Sequence, residues 1–222
     1  MLLELPDVVP ADLILAIREA LADAHWVDGV QTAPGGKSAH KRNEQLDPRG
    51  ELAGRLMGRL QQVLGEHAPF AKACLPARVQ PPLIARYQEG MAYGRHLDAP
   101  LIGETGVRAD LSVTLFLNPP EAYEGGELVV ESPLGERRFK GAAGSALVYP
   151  GGSWHRVEPV RSGERLVAVS WVQSRVRESE RRLQLYELSR VLDAARGEGL
   201  DTDALCRLEG VHLNLLRMWL DA

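Results

Sequence analysis

Tyr87-Gln88-Glu89-Gly90-Met91-Ala92-Tyr93-Gly94-Arg95-His96-Leu97-Asp98 is the stretch around which the rest of this chain is organised. It ends in His96-x-Asp98, an imidazole and a carboxylate two residues apart. On an extended strand, residues i and i+2 project to the same side, so both side chains could reach one small object. Imidazole plus carboxylate is a nitrogen and oxygen donor pair suited to a divalent metal ion. Alone the triplet is weak, because most such triplets are solvated loop residues.

A second signal lies downstream. Tyr149-Pro150-Gly151-Gly152-Ser153-Trp154-His155 runs from a turn into Arg156-Val157-Glu158-Pro159-Val160, and Gly163-Glu164-Arg165 opens a further strand ending near Trp171. His96, Asp98 and His155 then form a set of two histidines and one carboxylate, diagnostic of non-haem Fe(II) oxygenases. Arg165 lies ten residues after His155 on the next strand. Its planar fork matches a carboxylate, which lysine would mimic poorly. The plainer reading of Arg165 is an edge residue in a surface ion pair, which would contribute little.

The surrounding sequence is strand-rich. Leu83 to Tyr87 reads as a strand, and Asp110 to Asn118 alternates with branched and aromatic residues until Pro119-Pro120 ends it. Glu127 to Glu131, Gly135 to Phe139, Ser145 to Tyr149, Val157 to Val160 and Arg165 to Gln173 complete the set. Short strands separated by Gly/Pro turns argue for a sandwich or barrel rather than βαβ units. A double-stranded β-helix, or jelly roll, with the metal at one open end fits this pattern. Before it, Asp12 is placed to cap a helix over Leu13 to His25, and Glu51 to Glu66 has Leu52, Leu56, Leu60 and Val63 at helical spacing. Both helices are expected to buttress a sheet. Gly35 to Asn43 reads as a polar surface loop. After Ser174, Glu178 to Arg196 and a helix starting at Thr202 or Asp203 form a tail. Burial within the monomer is the simpler expectation for it, and a homodimer contact the sharper one. The organisation is therefore residues 1–76 as a helical and strand support region, 77–175 as a jelly-roll core and 176–222 as a helical extension.

The set Tyr87, Gly90, Tyr93, His96-x-Asp98, His155 and Arg165 resembles the iron- and 2-oxoglutarate-dependent dioxygenases of the prolyl 4-hydroxylase type, and among them the bacterial PKHD-type hydroxylases. Lys41-Arg42-Asn43-Glu44-Gln45-Leu46, Tyr123-Glu124-Gly125-Gly126-Glu127-Leu128 and Trp171-Val172-Gln173-Ser174-Arg175-Val176-Arg177 with Arg181-Arg182 extend the likeness along nearly the whole chain. The glycine-rich Pro34-Gly35-Gly36-Lys37 matches less closely. The resemblance implies Fe(II) held by His96, Asp98 and His155, the catalytic residues, with 2-oxoglutarate as co-substrate bound by Arg165 and Tyr87. It also implies consumption of O2, release of succinate and CO2, hydroxylation of a C–H bond, and L-ascorbate as the agent keeping iron reduced. The prime substrate is then a peptidyl residue such as proline, a free amino acid or a small metabolite.

Two other classes compete. One is a non-catalytic module that senses iron or 2-oxoglutarate. The other is a cupin-like zinc hydrolase or isomerase, since an open three-ligand site also suits zinc. Arg165 favours the dicarboxylate co-substrate over zinc hydrolysis. Tyr87 and Tyr93 also read as core tyrosines with satisfied hydroxyls. Asn43 and Gln45 either line the substrate cleft or satisfy loop backbone groups. His25, His40, His67 and His212 read as solvated or capping residues, and Trp154 and Trp171 as core or pocket-wall aromatics. The order around Ser153 is not a serine-hydrolase elbow, because Gly-x-Ser-x-Gly is absent.

Bulk properties agree. A chain of 222 residues with 45% hydrophobic and 25% charged residues can bury a real core. The net charge of −4 and the lack of a long basic run suggest no nucleic-acid footprint. No apolar run approaches the length of a membrane span. Met1 to Asp7 lacks the pattern of a signal peptide. Cys74 and Cys206 sit far apart and form no CxxC, so reduced thiols in a cytoplasm are the simpler reading.

Overall fold

The computed structural model describes residues 1–32, 40–103 and 106–221; the Pro34-to-Lys37 stretch lies outside them. From the N-terminus, β1 (Leu3–Leu5) precedes α1 (Ala11–Leu21). Three short strands, β2 (Trp26–Asp28), β3 (Lys41–Arg42) and β4 (Glu44–Leu46), lead into α2 (Glu51–Glu66) and α3 (Ala68–Cys74). Next come β5 (Pro76–Val79), β6 (Leu83–Tyr87), β7 (Ala92–His96), β8 (Leu101–Ile102) and β9 (Val107–Arg108). They are followed by β10 (Leu111–Phe116), β11 (Tyr123–Gly125), β12 (Leu128–Ser132), β13 (Gly135–Phe139) and β14 (Ala146–Pro150). The β region closes with β15 (His155–Val157), β16 (Val160–Gly163) and β17 (Arg165–Ser174), and the tail is α4 (Ser179–Gly197) and α5 (Thr202–Trp219).

Two antiparallel sheets face each other as a jelly roll. Among the described residues the larger runs β1-β14-β10-β17-β6-β4-β2, with β5 also on β17, and the smaller runs β13-β12-β15-β7-β3. Strands from residues 3–46 are thus hydrogen-bonded into both sheets. The period-two pattern of the strands explains the layering. In β10 every residue is buried. Leu111, Val113 and Leu115 join Ile14, Ile17, Leu60, Leu64 and Phe70 of α1, α2 and α3 in one apolar cluster. Phe116, on the opposite face, joins Leu128, Val130, Leu147, Val157 and Val167 in a second cluster between the sheets. Full burial of each such side chain contributes roughly 1.5–3 kcal/mol. Ser112 and Thr114 share the inter-sheet face with Phe116, so one face of a central strand supplies polar groups to the interior.

Several boundaries differ from expectation. α1 starts at Ala11 after Pro10, whose φ of −57° suits a helix entrance, and no side chain caps it. Asp12 sits in its first turn, where its charge favours the helix dipole. The helix stops at Leu21, not His25, because Trp26 pairs with Leu46 in the sheet. α3 has no counterpart in the sequence reading; the His67 imidazole caps it by accepting the Phe70 N–H at 3.2 Å. Lys41 and Arg42 form a strand rather than a surface loop, and Lys41 is buried. The Val157-to-Val160 strand is two strands, broken at Glu158-Pro159. α4 buries Leu185, Tyr186 and Leu192, whereas α5 has no buried residue and leaves Val211, Leu213 and Met218 exposed.

Gly125 sits at a bulge, where the register between β11 and β16 shifts. Its φ is +71°, and a Cβ there would collide with the Pro159 carbonyl oxygen. Gly125→Ala is therefore expected to destabilise the fold by at least about 2 kcal/mol, combining left-handed strain with the collision. At this chain length that lowers Tm by roughly 4–8 °C, which calorimetry would detect.

Candidate active site

β7 and β15 are neighbours in the smaller sheet, and His155 stands directly opposite His96. β7 ends at His96, so Asp98 comes from the irregular segment after it rather than from the same strand. Even so, the three side chains converge. Asp98 Oδ1 lies 3.9 Å from His96 Nε2 and 3.7 Å from His155 Nε2. One ligand atom from each residue falls within 4.8 Å of the other two. Two metal–ligand bonds of about 2.1 Å reach across about 4.2 Å, so one ion can bridge these groups with small side-chain adjustments.

The surroundings set each donor. His96 Nδ1 lies 2.8 Å from the Gly94 carbonyl oxygen, and His155 Nδ1 lies 2.9 Å from that of Ser153. A carbonyl only accepts, so in each neutral ring Nδ1 carries the proton and Nε2 turns its lone pair toward Asp98. That is the arrangement of a metal-binding histidine. The Ser112 hydroxyl donates to Asp98 Oδ2 at 2.6 Å, leaving Oδ1 for the space between the imidazoles. Tyr93 stacks on His96, with ring centroids 3.6 Å apart.

Arg165 comes from the larger sheet, where it pairs with Tyr87 across β17 and β6. It is 1% exposed, and its guanidinium lies 5.0 Å over the Tyr87 ring. Among the described residues, its Nε and Nη1 are buried without a hydrogen-bond partner. The neighbouring Tyr123 hydroxyl likewise has no partner in hydrogen-bonding geometry among the described residues. A buried cation with unmet donors is strongly disfavoured unless an anion completes it. The residues thus fit a bound carboxylate. Gly126 makes room, since a Cβ there would sit 3.1 Å from Arg165 Cδ. Asn118 fixes the strand at this point by donating to the Glu164 carbonyl and accepting the Leu166 N–H. Burial raises the phenol pKa values of Tyr87, Tyr123 and Tyr149, with the Arg165 charge pulling each the other way, so all three stay neutral donors.

His96, Asp98, His155, Arg165, Tyr87, Tyr93, Asn43 and Gln45 all border one cavity of about 400 Å³. Trp171 forms part of its wall, but Trp154 does not: it is 40% exposed on the outer face, with Arg95 3.9 Å above its ring. Sequence reasoning missed Lys41, Ser112, Thr114 and Tyr149, which also line the cavity. The alternation in Leu111-Ser112-Val113-Thr114 was the available signal, a polar face on a strand whose other face is apolar.

Residues 82–173 match the family model described as the 2OG-Fe(II) oxygenase superfamily. A PKHD-type hydroxylase of Shewanella sp. strain MR-4 is 41% identical over 221 residues, covering 99% of each chain. The chain belongs to the PKHD-type hydroxylase family. It is therefore an oxidoreductase of the dioxygenase class, in a family that uses Fe(II) and 2-oxoglutarate. Another PKHD-type hydroxylase, from Klebsiella pneumoniae subsp. pneumoniae, is 40% identical over 218 residues and 97% of each chain. In fold, this PKHD-type hydroxylase is similar to a prolyl-4-hydroxylase from Pseudomonas putida. The TM-score is 0.54 at 22% identity, covering 78% of this chain and 92% of that one. Among the described residues, no helix is long and apolar enough to cross a membrane.

Proposed function

We propose that this PKHD-type hydroxylase inserts oxygen into a C–H bond of a small molecule or peptide, with His96, Asp98 and His155 holding Fe(II) and Arg165 and Tyr87 holding 2-oxoglutarate. The observation that carries this reading is Arg165: a fully buried guanidinium with unmet donors, bordering the same cavity as the convergent triad. Together with the family, it favours the dioxygenase over a zinc hydrolase or a sensor module. Bound iron and 2-oxoglutarate supply the oxidising power, 2-oxoglutarate being converted to succinate and CO2 as O2 is consumed, with L-ascorbate keeping the iron ferrous.

The chain's own groups do the rest. The Gly94 and Ser153 carbonyls hold the imidazoles in the tautomer that binds through Nε2. Ser112 keeps Asp98 turned inward. Arg165 would hold a carboxylate of the co-substrate by charge-assisted hydrogen bonds, and Tyr87 would add a neutral donor. Val157, Val169 and Trp171 give part of the cavity wall an apolar surface. The free thiols of Cys74 and Cys206 support a reducing, cytoplasmic location.

The direct test supplies 2-oxoglutarate labelled at C1 to the Fe(II) enzyme and measures labelled CO2 together with succinate. Both are expected in equal amounts, and neither in Asp98→Ala. Succinate release that survives in Asp98→Ala would overturn the ligand assignment. Ser112→Ala is expected to weaken Fe(II) binding by about 10–100-fold, the usual cost of losing a partner that orients a ligand. Metal competition titration checks this, and unchanged affinity would remove Ser112 from the site.

A further inference from the structure

The strands that carry the two histidines are not in simple register. His155 pairs with His96, yet two residues later Val157 pairs with Tyr93, three residues back. β7 therefore uses one residue more than β15 over the same length, a bulge at Gly94-Arg95 opposite Arg156. In a regular strand, residues three apart face opposite sides. The bulge lets Tyr93 and His96 both border the cavity, with ring centroids 3.6 Å apart. It also brings the Gly94 carbonyl oxygen within 2.8 Å of His96 Nδ1. Backbone pairing is interrupted at a bulge, so the ladder alone holds this part of β7 less firmly. On one side the bulge is closed in by His40, whose Cβ would lie 2.8 Å from a Cβ added at Gly94.

The outer face of the sheet supplies a second restraint. β12, β15 and β7 are consecutive strands. Arg95 of β7 reaches over the β15 side to Glu131 of β12, donating from Nε at 2.7 Å and from Nη2 at 2.8 Å. On the way its guanidinium lies 3.9 Å over the Trp154 ring. The Glu131 N–H donates to the Trp154 carbonyl at 2.9 Å. Arg156 flanks Glu131 at 3.9 Å while holding Glu136 through two bonds of 2.8 Å. Arg95 immediately precedes His96, and Trp154 immediately precedes His155. The strap is thus one residue from each imidazole, on the opposite face of the sheet. Exposed ion pairs contribute little to stability. Metal donors, in contrast, must be held to within about 0.5 Å. A strap of small value to the fold can therefore have a large effect on a metal site.

We propose that Arg95, Glu131 and Trp154 are positioning residues that set Fe(II) affinity, by pinning the β7 bulge against β15 and so fixing His96 relative to His155. This rests on the iron reading above.

The test titrates the metal-free protein with Fe(II), anaerobically and without 2-oxoglutarate, in competition with a chromophoric chelator. The Tm of each metal-free variant is measured alongside. Arg95→Met and Glu131→Gln are each expected to weaken Fe(II) binding by about ten-fold, the lower end of the loss when an outer partner of a metal ligand is removed. Their Tm is expected to fall by less than about 4 °C, the range of an exposed pair at this chain length. The double variant is expected to lose no more than the weaker-binding single variant, because the two residues act as one strap. Trp154→Phe, which keeps an aromatic face under Arg95, is expected to bind Fe(II) as the wild type does, and Trp154→Ala to lose affinity as Arg95→Met does. Unchanged affinity in Arg95→Met and Glu131→Gln overturns the proposal. Losses that multiply in the double variant also overturn it, and so does a loss accompanied by a larger fall in Tm, which marks a structural role. Glu131→Gln, nearly identical in shape to the wild type, decides alone if Arg95→Met fails to fold. Failure of the wild type to bind Fe(II) overturns the iron assignment instead.

Discussion

His155→Ala is expected to abolish turnover and to lower Fe(II) affinity by more than about 100-fold. Removing a group that merely orients a ligand costs about 10–100-fold, and removing the ligand itself costs more. His155 is 5% exposed and reaches within 3.7 Å of Asp98, so no nearby side chain of the triad can take its place. Its ring also packs edge-on against Tyr149, with centroids 5.2 Å apart, so some loss of packing accompanies the substitution. Circular dichroism and Tm separate that loss from the metal effect. A folded variant that keeps both iron and rate would falsify the assignment of His155.

Arg165→Lys is expected to raise the KM for 2-oxoglutarate by roughly 10–100-fold. Lysine keeps the charge and loses the planar fork, so one of two parallel hydrogen bonds disappears. A hydrogen bond to a charged group is worth roughly 1.5–3 kcal/mol, and 1.4 kcal/mol is ten-fold in binding. Lysine is also shorter at its donor end and would leave space under Gly126 and Tyr123. Steady-state succinate formation against 2-oxoglutarate concentration reads the effect. An unchanged KM would place the carboxylate clamp elsewhere.

Much of this structure is legible in the residues, and what is not has physical causes. Leu83–Tyr87, Gly135–Phe139 and Glu51–Glu66 have the bounds that alternation and helical spacing indicate, because each is flanked by turn or breaker residues. The seven-residue α3 escapes periodicity, being too short to repeat a pattern and carrying Pro69 in its first turn. β1, β2 and β3 escape for a similar reason; their pairing with distant strands, not their composition, makes them strands. At the site, the residues that stand out by type are His96, Asp98, His155 and Arg165. Ser112 and Lys41 do not, since a serine or lysine gains meaning only from its neighbours across the sheet. Ser112 meets Asp98 across 14 positions of sequence, and Lys41 meets Tyr93 through strand register. Trp154 failed because alternation about His155 sends its neighbours outward, where Arg95 covers the indole.

The most direct measurement is anaerobic titration of the metal-free protein with Fe(II) and then 2-oxoglutarate, followed by visible absorption. A weak charge-transfer band that needs both components, and that is missing in His96→Ala, is the expected result. Tight zinc binding with no such band would contradict the dioxygenase reading of this site and leave the jelly-roll fold standing.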